Sequence, residues 1–525
     1  MIVKGFLCSK AYLSFKPLLT EEAFLVVNGK VAYVGSYERV KSLTKELSGE
    51  LIDLRGYVVM PGFVDPHTHL DSLALSLTSL ELRGVMSIKE LRERIKSFLS
   101  KHKDLEVLYG RGWDQELLAE GRWPTRWDID DLVPDKPAVL TRLCGHVALV
   151  NSVVIDELGL DRLSNPNVVR DANGRVLGIV KEDLVGLVWD YLTSKIKSWG
   201  KLLSNSLRYL ASLGVTTVGF LDARLRYVKE LMRLYSLNKW LPVRVKAYLS
   251  LKDFIRYKEV LGVALGNEYV GIVGIKLFTD GSLGARTAYL STPYEDDPKN
   301  RGQLLMRWGD LLKYSLEATS LGLQVATHAI GDAAIDEVLK AYTELIRRGV
   351  DPKLLRIEHL SVVRPDQIEL ISKLGIKVSI QPRFVISDWW VVKRVGRGRA
   401  SWVYPFKTLL KSGVPLGIST DTPVEPPNPW ESIYAAVTRG AYEGIELSSL
   451  TPNESLSTDE ALDLYTRGSA KLLNDPYIGT LEVGKYADFI VLTEDPLRLN
   501  PKELRSLKVL ATYVGGRESW VSSDW

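Results

Sequence analysis

Two histidines separated by one residue, His67 and His69, are the first residues in this sequence whose types and spacing suggest chemistry. On a β-strand, residues two apart point to the same face, so both imidazoles could bind one metal ion. The pair alone is a weak signal, because packing in a core would account for it equally well. Its context strengthens it, since the turn at Pro61-Gly62 leads into an apolar strand with the histidines at its carboxyl end.

Three more candidate ligands follow short apolar stretches: His328 in VATHAIGD, His359 in RIEHLS and Asp421 in ISTDTP. Each histidine could instead cap the helix that follows, and the aspartate could form an Asx turn before proline. A shared metal site explains histidines at the ends of several strands better than a separate structural role for each histidine does. In that site Asp421 would bind the metal and accept the proton of an attacking water.

Lys276 lies between Ile275 and Leu277 in another predicted strand. Burying an ammonium ion there is costly unless the charge is paired or removed. One solution is an ion pair with Asp222 or Glu182. The other is carboxylation by carbon dioxide, which gives an anion with two oxygens that could bridge two metal ions.

Three further residues are candidates for binding a substrate: His146 beside Gly145, Trp113 in GRGWDQ and Arg286 in GARTA. His146 could instead bond to a neighbouring backbone group, and an aromatic residue in a long insertion, such as Trp113, more often packs than binds.

These residues need a scaffold that brings strand ends together. Eight predicted strands alternate with amphipathic stretches, which indicates parallel βα units and an α/β fold, a (β/α)8 TIM-like barrel. The predicted strands are 63–70, 216–223, 244–250, 274–281, 324–332, 356–361, 377–384 and 415–423.

The two ends of the chain are instead rich in short strands and turns, such as the hairpin predicted around Asn28-Gly29. We therefore expect residues 1–60 and 475–525 to form one small composite β-sandwich. Residues 61–474 would form the barrel, with an insertion at about 80–200 that breaks the strand–helix alternation and would shape the mouth of the site.

Composition narrows the class of protein. The net charge of +4 is small, and the sequence has no cluster of basic residues that could bind along a phosphate backbone, so we expect no nucleic-acid partner. No stretch approaches the roughly 20 apolar residues of a membrane span, and only two cysteines occur, so the sequence reads as a cytoplasmic protein. A homo-oligomer is compatible with it.

The motifs PGFVDPHTHL, GRGWDQ, GHVALVNS, GIKLFTDGSLGARTA, THAIGD, EHL and STDTPV occur in this order over some 430 residues. Together they resemble the amidohydrolase superfamily, and in particular its amidohydrolase-3 branch, which includes YtcJ-like proteins and N-substituted formamide deformylase. The stretch IGTLEVGKYADFIVLTEDP (478–496) is similar to the superfamily's return to the small β-domain.

The resemblance implies a role for each candidate. His67 and His69 would hold one metal, Lys276 would be the carboxylated bridging residue, and His328 and His359 would hold a second metal. Asp421 would be the catalytic aspartate. Glu182, in GIVKED, matches a recurring glutamate of this branch and is the alternative bridging ligand.

The expected activity is that of a metal-dependent hydrolase, an amidohydrolase that cleaves a non-peptide carbon–nitrogen bond of a small molecule with metal-activated water. One or two divalent ions are expected; zinc suits the ligands, with iron or manganese as alternatives. A mononuclear deaminase of the same superfamily and a non-catalytic binding protein on an inherited barrel are the competing hypotheses. The deaminase would leave Lys276 without a role.

Overall fold

The computed structural model describes residues 1–142, 147–260, 266–523 and 525, with the side chain of residue 183 outside this description. The chain divides into two compact units. The first joins residues 1–71 to residues 203–525, and the second consists of residues 72–202.

The first unit begins with four strands and one helix: β1 (Val3–Phe15), β2 (Leu18–Val27), β3 (Lys30–Gly35), α1 (Tyr37–Glu46) and β4 (Glu50–Pro61). The predicted hairpin turn joins β2 to β3. Asn28 and Gly29 both have positive φ there, 49° and 82°, as a tight two-residue turn requires. Strand β5 (Phe63–Thr68) follows and carries the first histidine.

The second unit has its own sheet and core. After helix α2 (Leu70–Ser76), its elements are β6 (Leu80–Glu81), α3 (Ile88–Lys101), β7 (Leu108–Trp113), β8 (Ala138–Arg142), β9 (Val147–Val150), α4 (Ser152–Leu158), β10 (Val168–Arg170), β11 (Val176–Lys181) and α5 (Asp183–Lys195). The strands form one sheet in the order β10-β11-β9-β8-β7-β6. The predicted insertion at about 80–200 falls within this unit.

Helix α6 (Trp199–Ser212) leads back to the first unit, where seven more strands follow β5. They are β12 (Val215–Ala223), β13 (Arg244–Ser250), β14 (Val270–Phe278), β15 (Gln324–Ala329), β16 (Leu355–His359), β17 (Lys377–Ile380) and β18 (Leu416–Ile418). All eight strands are parallel and neighbours in chain order, so the predicted barrel is confirmed.

The barrel closes between its first and last strands. Thr68 and Thr422 form a parallel bridge, and the Asp421 N–H donates to the His67 carbonyl at 2.9 Å. The buried Asp65 accepts a hydrogen bond from Thr420 Oγ1 at 2.6 Å, which adds a side-chain link across the same seam.

The helices of this part of the chain are α7 (Leu225–Asn238), α8 (Leu251–Tyr257), α9 (Trp308–Ser320), α10 (Asp332–Arg347), α11 (Pro365–Leu374), α12 (Phe384–Ser387), α13 (Val391–Val395), α14 (Phe406–Lys411), α15 (Pro429–Thr438), α16 (Glu446–Leu450), α17 (Thr458–Asp463) and α18 (Ser469–Leu472). Helix α10 shows why such stretches pack on the barrel: Ile335, Val338, Leu339 and Tyr342 recur at helical spacing and are all buried. None of the helices in the described part of the chain combines the length and apolarity that a bilayer crossing requires.

The chain ends with β19 (Phe489–Leu492), β20 (Val509–Val514) and β21 (Arg517–Val521). These join the first four strands in a seven-stranded sheet of order β21-β20-β19-β4-β1-β2-β3, which confirms the small β-structure predicted from both ends. Its apolar core includes Phe6, Phe24 and Phe489. The predicted boundaries at residues 60 and 475 stay predictions, because barrel and sheet belong to one compact unit.

Candidate metal centre

The carboxyl ends of the barrel strands surround a cavity of about 400 Å³. In a barrel of this type all parallel strands end on the same face, which is where chemistry occurs. All six residues that the sequence suggested as metal ligands line this cavity: His67, His69, Lys276, His328, His359 and Asp421. The structure thus brings the predicted set together, while their role as ligands stays a prediction.

Three members of the set are especially close. One candidate ligand atom from each of His67, His359 and Asp421 lies within 4.8 Å of the other two. His359 and Asp421 have positive φ values, 74° and 62°. Such backbone is uncommon outside glycine and is typical of functional sites held by their surroundings.

Hydrogen bonds orient two of the imidazoles. His67 Nδ1–H donates to Glu358 Oε2 at 2.7 Å, and His359 Nδ1–H donates to Gln381 Oε1 at 2.8 Å. Each bond leaves Nε2 as the nitrogen available for coordination. Metal-binding histidines in proteins are held in this way by a partner on the second ring nitrogen.

The other two histidines complete the ring of imidazoles. His69 Nε2 lies 3.1 Å from Asp421 Oδ1, and His328 Nε2–H donates to the Gly281 carbonyl at 2.9 Å. The ring centres of His328 and His359 are 4.5 Å apart. Imidazoles and a carboxylate at such spacing form a donor set that suits zinc and related divalent ions.

Lys276 is 1% exposed and lies among these groups. Its Nζ is 3.3 Å from His67 Nε2 and 5.0 Å from the centre of the Phe278 ring. Burial lowers the pKa of Lys276 to about 8, although the charges of Glu358 and Asp421 oppose the shift. The ion pair with Asp222 that the sequence allowed is not among the contacts of the described residues, and Asp222 acts on the lysine only through its charge.

Glu358 is a part of the centre that sequence reasoning missed. Burial alone would raise its pKa, but the guanidinium of Arg356 and the imidazole of His67 hold it well below the usual range. Arg356 also donates to Tyr248 Oη at 3.1 Å and to the Pro66 carbonyl at 3.2 Å. The signal in the sequence was the adjacent pair Glu358-His359. In a regular strand, neighbouring side chains point to opposite faces, so Glu358 and His359 would not both face the cavity. The positive φ of His359 breaks the regular strand geometry and allows both side chains to reach the centre.

The same balance acts on the candidate catalytic carboxylate. Burial would raise the pKa of Asp421, but His67 and His69 hold it well below its ordinary value. Asp421 is therefore an anion placed between two imidazoles, which suits a ligand and a proton acceptor.

The remaining candidates have other surroundings. Arg286 forms a two-pronged ion pair with Asp296 at 2.9 and 3.1 Å and is not among the residues that line the cavity. Trp113 is fully buried in the core of the second unit, where its indole N–H donates to the Leu140 carbonyl at 2.7 Å. Glu182 lies in the second unit immediately before helix α5, and His146 lies outside the described residues. Their roles toward substrate or metal stay predictions.

A parallel (β/α)8 barrel with histidines, a lysine and an aspartate at its strand ends has the fold and site of a metal-dependent hydrolase. Comparison with known proteins supports this class. Residues 50–519 match the model of the amidohydrolase family. The chain is 31% identical to the putative amidohydrolase YtcJ of Bacillus subtilis (strain 168), over 94% of this chain and 95% of that protein.

Two further comparisons agree. N-substituted formamide deformylase of Arthrobacter pascens is 27% identical, with 94% of each chain covered. The crystal structure of an uncharacterized metal-dependent hydrolase from Pyrococcus horikoshii OT3 superposes with a TM-score of 0.86 at 38% identity, covering 95% of this chain and 99% of that one. The chain belongs to the amidohydrolase family and is a hydrolase.

Proposed function

We propose that this hydrolase cleaves a non-peptide carbon–nitrogen bond, of the amide or formamide type, in a small molecule. The observation that carries the proposal is the position of Asp421, whose Oδ1 lies 3.1 Å from both His67 Nε2 and His69 Nε2 in a cavity of small-molecule size. The 27% identical relative is named as a deformylase of N-substituted formamides, which is a reaction of this type.

One or two divalent ions, with zinc the best match to imidazole and carboxylate donors, would be held by His67, His69, His328, His359 and Asp421. When bound, such an ion would polarise the substrate carbonyl and lower the pKa of an attacking water. Asp421 would take a proton from that water as its oxygen bonds to the carbonyl carbon. Asp421 would then return the proton to the nitrogen as the carbon–nitrogen bond breaks, so that an acid and an amine leave.

Lys276 would contribute by becoming a carbamate. Its ammonium would first lose a proton, and the neutral amine nitrogen would then add to the carbon of carbon dioxide and lose a second proton. The two losses replace a buried cation by an anion with two oxygens. The support is the burial of Lys276 without an ion-pair partner among the described residues, next to His67 Nε2. Glu182 remains the alternative bridging ligand.

The test begins with metal analysis of the purified protein, followed by a screen of formamides, N-acyl amino acids and lactams for amine release. Asp421→Asn should lower turnover by about 10²- to 10⁴-fold while most of the metal stays bound. Asp53→Asn, the same change at an exposed residue of the terminal sheet, is the matched control and should leave turnover unchanged. Protein that takes up no metal, or an Asp421→Asn variant with full activity, would refute the proposal.

A further inference from the structure

The cavity wall holds a second polar group that the hydrolytic steps above do not use. Asp388 and Tyr404 both line the cavity, and Tyr404 Oη–H donates to Asp388 Oδ2 at 2.6 Å. Neither residue is a candidate metal ligand, and they come from the segments before and after helix α13.

No residue in the described ranges forms an ion pair with the carboxyl of Asp388. Its Oδ1 accepts no hydrogen bond from those residues either. Arg394, whose charge reaches Asp388, is already bound to Asp296 at 3.0 Å and to the Gly284 carbonyl at 3.1 Å.

A second buried carboxyl, which is not among the residues that line the cavity, acts on Asp388 through its charge. Glu425 is 6% exposed, and its charge raises the pKa of Asp388. Arg383 affects Glu425 only through its charge, because its ion pair is with Glu431 at 3.6 Å. Burial raises the pKa of both Asp388 and Glu425. Buried carboxyls without a counterion are costly to keep charged, and such groups in clefts commonly bind a ligand.

Apolar side chains make up much of the remaining described lining of the cavity, contributed by Phe278, Leu283, Ile330, Phe384 and Val424. Lys276 is the one lysine or arginine among the described lining residues, and it belongs to the metal centre. The cavity thus offers an apolar region for a hydrocarbon chain and an acceptor pair for a positive group.

The acceptor pair is held in place from behind. Arg439 is 1% exposed and donates to the carbonyls of Val403 at 2.9 Å and Tyr404 at 2.8 Å. Tyr404 has a φ of 49°, which these bonds help to maintain. The Tyr404 hydroxyl donates its hydrogen to Asp388, and its oxygen, to which the Ser361 side chain also hydrogen-bonds, keeps a further lone pair that can accept beside the Asp388 carboxylate.

We propose that the enzyme selects amides whose remote end carries a protonated amine, which Asp388 and Tyr404 receive while the amide lies at the metal centre. This inference rests on the proposed function for the position of the scissile bond. The recognised group is a primary ammonium on a short alkyl chain. An amide with a carboxylate at the same position would be repelled by Asp388 and Glu425.

Three amides of similar size differ in the charge of their remote end: N-(4-aminobutyl)acetamide is positive, N-pentylacetamide is neutral and 5-acetamidopentanoate is negative. Their binding to the metal-loaded Asp421→Asn protein is measured by calorimetry, so that affinity is read without turnover. The ammonium compound should bind about 10- to 100-fold more tightly than the neutral one, as expected for a hydrogen bond to a charged group, and the carboxylate most weakly. Adding Asp388→Asn should abolish this preference without changing affinity for N-pentylacetamide, and Asp388→Glu should restore part of it.

The outcomes separate the two proposals. Equal affinity for the ammonium and neutral compounds, or a preference that survives Asp388→Asn, overturns the inference. Loss of affinity for all three compounds in Asp388→Asn indicates a structural role and overturns it as well. If the ammonium compound binds selectively but the wild-type enzyme turns over none of the amides in the screen, the recognition stands and the proposed reaction is wrong.

Discussion

Glu358 Oε2 and His67 Nδ1 lie 2.7 Å apart across the barrel, joining strand β16 to strand β5. Both side chains are buried, and Arg356 neutralises the carboxylate from the other side. The contact determines which nitrogen of His67 faces the centre of the cavity.

We expect Glu358→Gln to weaken metal binding about 10- to 100-fold, because residues that orient a metal-binding histidine have effects of that size. Competition with a chelator measures the affinity independently of activity. Glu317→Gln, on helix α9 and partly exposed, is the matched control. Unchanged affinity in Glu358→Gln would show that His67 needs no such support.

Carboxylation of Lys276 can be detected directly. Protein incubated with ¹³C-labelled bicarbonate and zinc should show one carbamate carbon signal by NMR, and Lys276→Met should lose it. Lys377 is the appropriate control because it is also buried, and burial lowers its pKa to about 7. A signal that persists in Lys276→Met and disappears in Lys377→Met would show that Lys377 is the carboxylated residue and would contradict the proposal for Lys276.

A buried ion pair joins the barrel to the terminal sheet. Arg244 Nε and Nη2 donate to the two oxygens of Asp488 at 2.7 and 3.1 Å, and both side chains are at most 3% exposed. Asp488→Ala should lower the free energy of unfolding by about 3–5 kcal/mol, since it leaves a buried guanidinium without its partner.

Chemical denaturation followed by circular dichroism measures this loss. Asp53→Ala, which removes one partner of the exposed pair with Arg55, should change the stability little. Similar losses in the two variants would argue against a structural role for the buried pair.

The recognition of an amine by Asp388 carries a pH dependence. Burial and the charge of Glu425 raise the pKa of Asp388 to about 7, although the Tyr404 hydrogen bond and the charge of Arg394 act in the opposite direction. The carboxyl is therefore protonated and neutral below about pH 7 and anionic above it. An alkylammonium stays charged throughout this range.

Binding of N-(4-aminobutyl)acetamide to the metal-loaded Asp421→Asn protein should accordingly tighten as the pH rises from 6 to 8. Binding of N-pentylacetamide should change far less over the same range. An equal pH dependence for both compounds, or one that persists when Asp388→Asn is added, would contradict the assignment to this carboxyl.

The sequence predicted the barrel, and its six candidate ligands line one cavity although their role as ligands stays a prediction. The physical reason for this placement is local. Each of His328, His359 and Asp421 follows an apolar stretch, and parallel strands of a barrel end on one face. Knowing that each residue lies at the end of a barrel strand was therefore enough to predict that these side chains surround one cavity, although the distances between them were unknown.

The groups that support those candidates could not be found in this way. Glu358 reaches His67 only because strands β16 and β5 face each other across the barrel, and Gln381 reaches His359 from the next strand. Asp388 and Tyr404 meet through the loops that follow strand β17. Trp113 shows the converse, since the sequence left open whether it lines a substrate pocket or packs, and the structure buries it in the core of the second unit. Such relationships depend on register and loop geometry, which periodicity does not contain.

The seam where the barrel closes has a consequence for how the protein matures. His67 and His69 are made early in synthesis, whereas Asp421 is made some 350 residues later, and the Asp421 N–H bonds to the His67 carbonyl only when the circle is complete. Contacts so distant in sequence require the closure of a long loop, which is costly and slow. Full metal affinity should therefore arise only in finished chains, so the metal reports on the integrity of the whole barrel and stabilises only molecules that have closed it.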